Sequence, residues 1–477
     1  MKTLSWEVSM NGFRDKSLLA GVVLGLVVCL GGLSGCQSGY RESCKKIDSA
    51  LLAGDVNAAA AVAYTEYQNK ANERDRVVRA LDAGSLLLLT GRHKESGEAL
   101  TSAYEIVRPY LDSKAEDSVT EGVATTVVNQ TLAEYKSTPV ERVFLNTFLS
   151  IGQMIDGNSA AARIELNRAN DWQQDARNRY AVAIETQRNS TMTYASKNGV
   201  DMQKAMQTPG LSRLTEGLES ISSQSPYQSA WTSYLRGIFL ASAASDAGDL
   251  STARSELRLA WEACPQARPV IETDLAAVER GKITKTTWVF AFSGLCPRRE
   301  ELRLDIPIPV GNVNYVSAAF PLLKSVDAHT SQFVVSSAEG SVSTSVLMNV
   351  DDVVKAEYKQ QLPTIIAQEI LSSALKAAAT YGAKSSSNDD TASAILQIGG
   401  IIYQAASTSA DLRGWRTLPK QIQVARLATP DNGKLSVSVP GGPAVQVSVD
   451  PLASNGVIIW HTQPNSQSLT NVAWRMP

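Results

Sequence analysis

The chain has 477 residues, with 45 Lys and Arg against 47 Asp and Glu and a formal net charge of −2. That length supports two or three domains with proper cores. No basic block runs through it, so nucleic acid and other polyanions are excluded as expected partners.

The first element is a targeting segment. Arg14 and Lys16 precede an uncharged, largely apolar run from Ser17 to Leu30. At ~1.5 Å per residue this run spans ~21 Å, short of the ~30 Å hydrocarbon core of a bilayer. A basic start, an apolar middle and small residues before a cut form the layout of a signal peptide. Leu33, Ser34, Gly35 and Cys36 then read as a lipobox. Small residues at 34 and 35 admit the backbone to a peptidase cleft, and the Cys36 thiol is the group that receives diacylglycerol. The arrangement resembles the bacterial lipoprotein signal. That resemblance implies a signal peptide over 1–35, a lipidated linker over 36–45 and attachment to a membrane through acyl chains. Met10 opens a more ordinary signal than Met1, and Cys29 is discarded with the signal. Gln37 stands where inner-membrane retention, in the resembling sorting pattern, wants Asp. The resemblance therefore implies the periplasmic face of the outer membrane.

Over 46–282 apolar residues recur at three- and four-residue spacing, which predicts an α-helical domain. In "LASAASDAGDLSTARSELRLAWEACP" (240–265), Leu240 and Ala241 lie on one helix and Gly248 turns the chain. Ala253, Leu257 and Ala260 then line a second helix that Pro265 ends. The unit is similar to the tetratricopeptide repeat, although Gly237 stands where a large aromatic is typical. The frame recurs around Gly91 and Gly157, and a fainter copy surrounds Gly54. Turn glycines 37, 66 and 91 residues apart do not fit regular tandem repeats of about 34 residues, so the solenoid is irregular.

From 283 to 477 the period becomes two. Strands are expected at 286–293, 301–310, 315–323, 332–337, 342–350, 421–427, 434–439, 444–449 and 457–462. Two inserted helices are expected at 351–383 and 391–408, which makes the fold α+β: an irregular helical solenoid followed by a β-rich domain. The uncharged stretch 391–410 is expected to be a buried or subunit-facing helix. The whole order of parts resembles a family of uncharacterised bacterial lipoproteins. The resemblance rests most on "WVFAFSGLCPRREELRLDIPIPV", "AEYKQQLPTIIAQEILSSALKAAATY" and "DLRGWRTLPKQIQVARL". Members of that family often lie beside genes for a lipoprotein activator of penicillin-binding proteins, which implies cell-wall assembly and carries over no activity.

A search for chemistry finds little. His93, His329 and His461 are scattered, and no GxSxG, GxGxxG or phosphate-cradling loop appears. Asp351 and Asp352 precede a helix, where they are expected to cap it. Ser373 and Lys376 share an S-x-x-K spacing, but no K-T-G follows and Ser373 falls inside a helix expected to start at Pro363. Arg413-Gly414-Trp415-Arg416 reads as a turn whose tryptophan closes a core, with its arginines solvated or paired. Cys264 and Cys296 leave two readings open in an oxidising compartment: a disulfide across the domain boundary, or two buried free thiols.

These readings point to a non-enzymatic, outer-membrane-anchored periplasmic scaffold that grips a partner in the concave face of its helix pairs. The expected partners are an envelope protein, the membrane through the lipid on Cys36, and a second copy of the chain through 363–408. No metal or other cofactor is expected. The alternative is a structural subunit of an envelope export or surface-assembly complex.

Overall fold

Gly54, Gly91 and Gly157 all sit at positive φ, between 75° and 80°, and each ends one helix and admits the next. At Gly91 and Gly157 an added Cβ would meet open space, so the left-handed backbone alone demands glycine there. In the computed structural model the described residues are 40–69, 74–112, 134–219, 221, 227–308, 315–385 and 409–477. The lipobox, Leu33 to Cys36, and the expected helix at 391–408 lie outside them.

The helical half is a series of antiparallel pairs. Residues 40–52 are helical (α1) and lead into α2 (Val56–Asn69). Then come α3 (Arg76–Leu89) with α4 (His93–Val107), and α5 (Pro139–Ile155) with α6 (Ser159–Asp175). A helix at Ala181–Lys197 (α7) precedes the third pair, α8 (Ala230–Ala243) with α9 (Ala247–Ala263), and α10 (Arg268–Arg280) closes the series. Local sequence sets the starts. Thr138 and Glu141 form a capping box with Pro139 at the first turn of α5. The Ser229 and Asp246 side chains accept the Thr232 and Asp249 N–H groups at the starts of α8 and α9. Gly248 therefore lies inside the first turn of α9 and not at the turn between helices, which is a correction to the repeat frame. Ala253, Leu257 and Ala260 do form the buried face of α9, against Leu240 and Ala241's helix. A Cβ on Gly237 would lie 2.8 Å from Leu257 Cγ, so the pair approaches too closely for any side chain there. That explains the missing aromatic.

The pairs form two layers. In α3 every residue from Val77 to Leu89 is buried, whereas α9 buries only Ala253, Glu256, Leu257 and Ala260. The first helix of each pair is enclosed and the second faces solvent.

What encloses them is the β-region. Its five-stranded sheet runs β11 (Thr470–Arg475), β10 (Asn455–His461), β1 (Thr286–Ser293), β7 (Gln421–Ala428), β6 (Ser345–Asn349). Among the described residues only β1 and β10 pair parallel; Val289 sits opposite Val457. A four-stranded sheet runs β5 (Gly340–Ser343), β4 (Val334–Ser337), β8 (Lys434–Ser438), β9 (Ala444–Ser448). The two sheets share a core of Val289, Ala291, Phe333, Val335, Leu435, Val437 and Val457 among others. All eight residues of β1 are buried because its other face, Trp288, Phe290 and Phe292, meets the inner helices. This is why "TWVFAFSG" reads as a nearly unbroken apolar run. The hairpin β2 (Arg298–Ile306) and β3 (Val316–Lys324) packs instead on a 36-residue helix, α11 (Val350–Ser385). Leu302, Ile306, Phe320, Leu362 and Ile370 lie in that second core, together with Leu211 and Leu214.

The fold class is α+β, as the periodicities predict, with four departures in detail. The stretch expected as one strand at 342–350 breaks at Thr344 into β5 and β6, and β11 was not expected. Helix α11 covers the helix expected at 351–383, and Pro363 lies inside it instead of starting it. Asp351 does not cap it: its carboxylate takes the Lys355 and Lys420 ammonium groups at 2.6 and 3.2 Å. Ser43–Pro477 form one compact unit. The change of character near residue 283 thus marks a change of secondary structure and not a gap in the packing. No helix among the described residues is long and apolar enough to cross a membrane.

Candidate functional site: a buried charge cluster under residues 411–418

The segment Asp411-Leu412-Arg413-Gly414-Trp415-Arg416-Thr417-Leu418 carries no helix or strand, yet most of it is buried. An irregular buried backbone needs polar partners. They come from four other parts of the chain.

Arg413 grips Asp411 through Nε at 2.9 Å and Nη2 at 2.8 Å, and reaches Asp75, the residue before α3, at 3.2 Å. Its guanidinium also lies over the Tyr135 ring, 5.4 Å from the centroid. Trp415 donates its backbone N–H to Glu141 at 2.7 Å and its indole N–H to Ser85 and Thr417 at 3.1 and 2.9 Å. Arg416 donates its backbone N–H to Asp82 at 3.2 Å and reaches Asp48 of α1 at 2.9 Å. Asp48 also pairs with Arg298 of β2 at 3.2 Å. The two Glu141 oxygens accept from Tyr135, from Trp415 and from the Thr138 N–H.

The electrostatics follow from burial. Burial pushes Asp82 up to about 7, with Arg416 and Thr417 working against it. Burial also pushes Glu357 of α11 up to about 7. A carboxylate held this way is partly neutral near pH 7, because its neighbours return less than the lost hydration. Arg413 and Arg416 are thus paired, one of the two fates expected for them, and Trp415 closes a core 5.5 Å from Phe148.

The expected site residues are scattered. Gly91 and Gly157 sit at helix turns, and Leu240, Ala241, Ala253, Leu257 and Ala260 inside one helix pair. Cys264 and Cys296 are free, buried thiols, so the disulfide reading is corrected. Cys264 donates to the Val346 carbonyl at 2.9 Å and Cys296 to the Trp415 carbonyl at 3.3 Å, each thus satisfied in its own place. Desolvation pushes the Cys296 thiol up to about 12, which keeps it protonated. His461 is buried between Thr330 at 2.7 Å and the Ser466 carbonyl at 3.0 Å, whereas the half-buried His329, one residue before Thr330, meets the Asp327 carbonyl at 2.8 Å. Ser373 is buried within α11. Among the described residues no three His, Cys, Asp or Glu side chains are grouped to hold a metal ion.

The inner face of the helix pairs, expected to hold a partner, is covered by the chain itself. Trp231 of α8 packs 5.3 Å from Phe292, Tyr234 lies 6.1 Å from Phe290, and Phe148 of α5 lies 6.3 Å from Phe292. No known protein family, curated protein or solved structure matches this chain.

Proposed function

We propose that the protein is a lipid-anchored envelope scaffold, held at the periplasmic face of the outer membrane by acyl chains on Cys36. The observation that carries the reading is the run from Arg14 through Leu33-Ser34-Gly35-Cys36, with Gln37 behind it. The absence of a membrane-crossing helix among the described residues is compatible with an anchor made of lipid alone. With the inner helix layer covered by the sheet, the surface offered to a partner is the outer layer, α4, α6 and α9. There Ile164 of α6 is 51% exposed. A partner in cell-wall assembly is the expectation that the lipoprotein resemblance adds.

Labelled palmitate tests the anchor. The protein should take up the label and fractionate with outer membranes, and Cys36→Ala should lose both. Label retained in Cys36→Ala would refute lipidation at this residue. A photo-crosslinker at Ile164 should then capture an envelope protein in cells, and the same probe placed at buried Leu87 should capture none.

A further inference from the structure

We propose that the cavity between β2, α5, α11 and the 412–418 segment binds a carboxylate group, with the Arg299 guanidinium as its fork. The cavity measures about 40 Å³. At roughly 10–15 Å³ of such space per water it has room for about three waters, the size of a carboxylate and its adjoining carbon. Leu323, Val354 and Leu412 are among its apolar lining residues, and Arg299, Glu357 and Gln361 among its polar ones.

Two charged groups lining the cavity, Arg299 and Glu357, join no ion pair among the described residues, whereas the others are matched. Arg416 and Arg298 are matched by Asp48. Glu141 is filled by Tyr135, Thr138 and Trp415. Arg299 donates one hydrogen bond, from Nη1 to the Arg413 carbonyl at 3.0 Å, and joins no ion pair among the described residues. Arg299 is half-buried, and its planar fork fits a carboxylate through two parallel N–H bonds. Burial works against its charge, but Tyr135, Asp411 and Glu141 nearby hold its pKa above the ordinary value, so the guanidinium stays charged and keeps its fork for a ligand.

Glu357 sets the pH dependence. It accepts the Val140 N–H at 3.3 Å and faces Glu141, Arg299, Arg142, Tyr180 and Tyr227. Burial, reinforced by Glu141, pushes it up to about 7. Protonated, it leaves the cavity positive; ionised, it repels an incoming carboxylate. A peptide terminus stays ionised well below pH 6. Binding should therefore tighten about tenfold from pH 8 to pH 6 as the neutral fraction of Glu357 rises from about a tenth to about nine tenths.

Calorimetric titration of the full chain with N-acetyl-dialanine, its C-terminal amide and sodium acetate tests the site. The peptide acid should bind, the amide should not, and Glu357→Gln should abolish the pH dependence while keeping the affinity found at pH 6. Binding of acetate but not the peptide acid would support the site and identify a small free acid as its source. Binding of the peptide acid but not acetate would support it with a chain terminus as the source. Arg299→Gln should weaken binding at least tenfold. Equal binding of acid and amide, no binding by either acid at millimolar concentration, or unchanged affinity in Arg299→Gln would overturn the assignment. If Arg299→Gln does not fold, the acid–amide comparison on the unsubstituted protein still decides.

Discussion

Two of the contacts that join the helices to the β-region are built from opposite chemistry. At β1 the contact is aromatic: Trp231, Tyr234 and Phe148 against Phe290 and Phe292, with Asp274 as a polar post receiving Trp288 at 3.1 Å and Arg426 at 2.6 Å. Under 411–418 it is ionic, with Asp48, Asp75, Asp82 and Glu141 meeting two arginines and a buried backbone. Apolar burial is non-directional and supplies most of the stability. The ionic cluster gains little over its desolvation cost, but it tolerates one arrangement only, since any partner removed leaves a buried charge behind. The first contact holds the layers together; the second fixes where 411–418 sits.

Substitutions separate the two. The largest effect should come from neither contact but from the helix pair beneath them. Ala253 is fully buried under Gly237, so Ala253→Arg should cost about 4 kcal/mol or more and leave that pair open to protease. Wild-type melting in that variant would contradict the packing of α8 on α9. Trp231→Ala, at the aromatic contact, should cost about 4 kcal/mol, read from urea unfolding. Glu141→Ala should cost about 3 kcal/mol by stranding the Trp415 and Thr138 N–H groups and the Tyr135 hydroxyl.

The smallest effect is a pH dependence to which the ionic contact contributes through Asp82. Asp82 and Glu357 have native pKa values near 7, above those of an unfolded chain. The native state thus binds more protons than the unfolded state between about pH 4 and pH 7, so stability falls as pH rises through this window. Unfolding free energy should be greater at pH 6 than at pH 8 by about 1 kcal/mol for each group. Asp82→Asn should remove its share of that difference, while Trp231→Ala should leave the pH slope as it is. A slope of the opposite sign would contradict the electrostatics of the cluster.

The aromatic contact left a trace in the sequence and the ionic one did not. "TWVFAFSG" is apolar on both strand faces, which already implies cover on both sides; only the identity of the second cover was hidden. The turn glycines at 54, 91 and 157 were legible because a left-handed residue after a periodic helix has few alternatives to Gly. Residues 411–418, by contrast, read locally as a turn. Their partners lie between 270 and 370 residues away, at Asp48, Asp75, Asp82, Ser85 and Glu141, and nothing in one sequence ties an acid on an early helix to a late arginine. The expected turn at Gly248 failed because Asp246 caps the helix two residues earlier. Strand β11 was missed although Val472, Trp474 and Met476 alternate and are buried, since six residues at a sheet edge give a weak signal. The concave face was misjudged for a physical reason: helix periodicity marks which residues are buried, not what buries them.

The central claim is that helices and sheets unfold as one unit because the contacts between them must break together. Native-state hydrogen exchange on the full chain measures this directly. The slowest amides of α3, Leu86 to Leu89, and of β1, Val289 to Ala291, should open with the same free energy, and Glu141→Ala should lower both by the same amount. Retained protection in β1 alongside lost protection in α3 would show two independent domains and contradict the account.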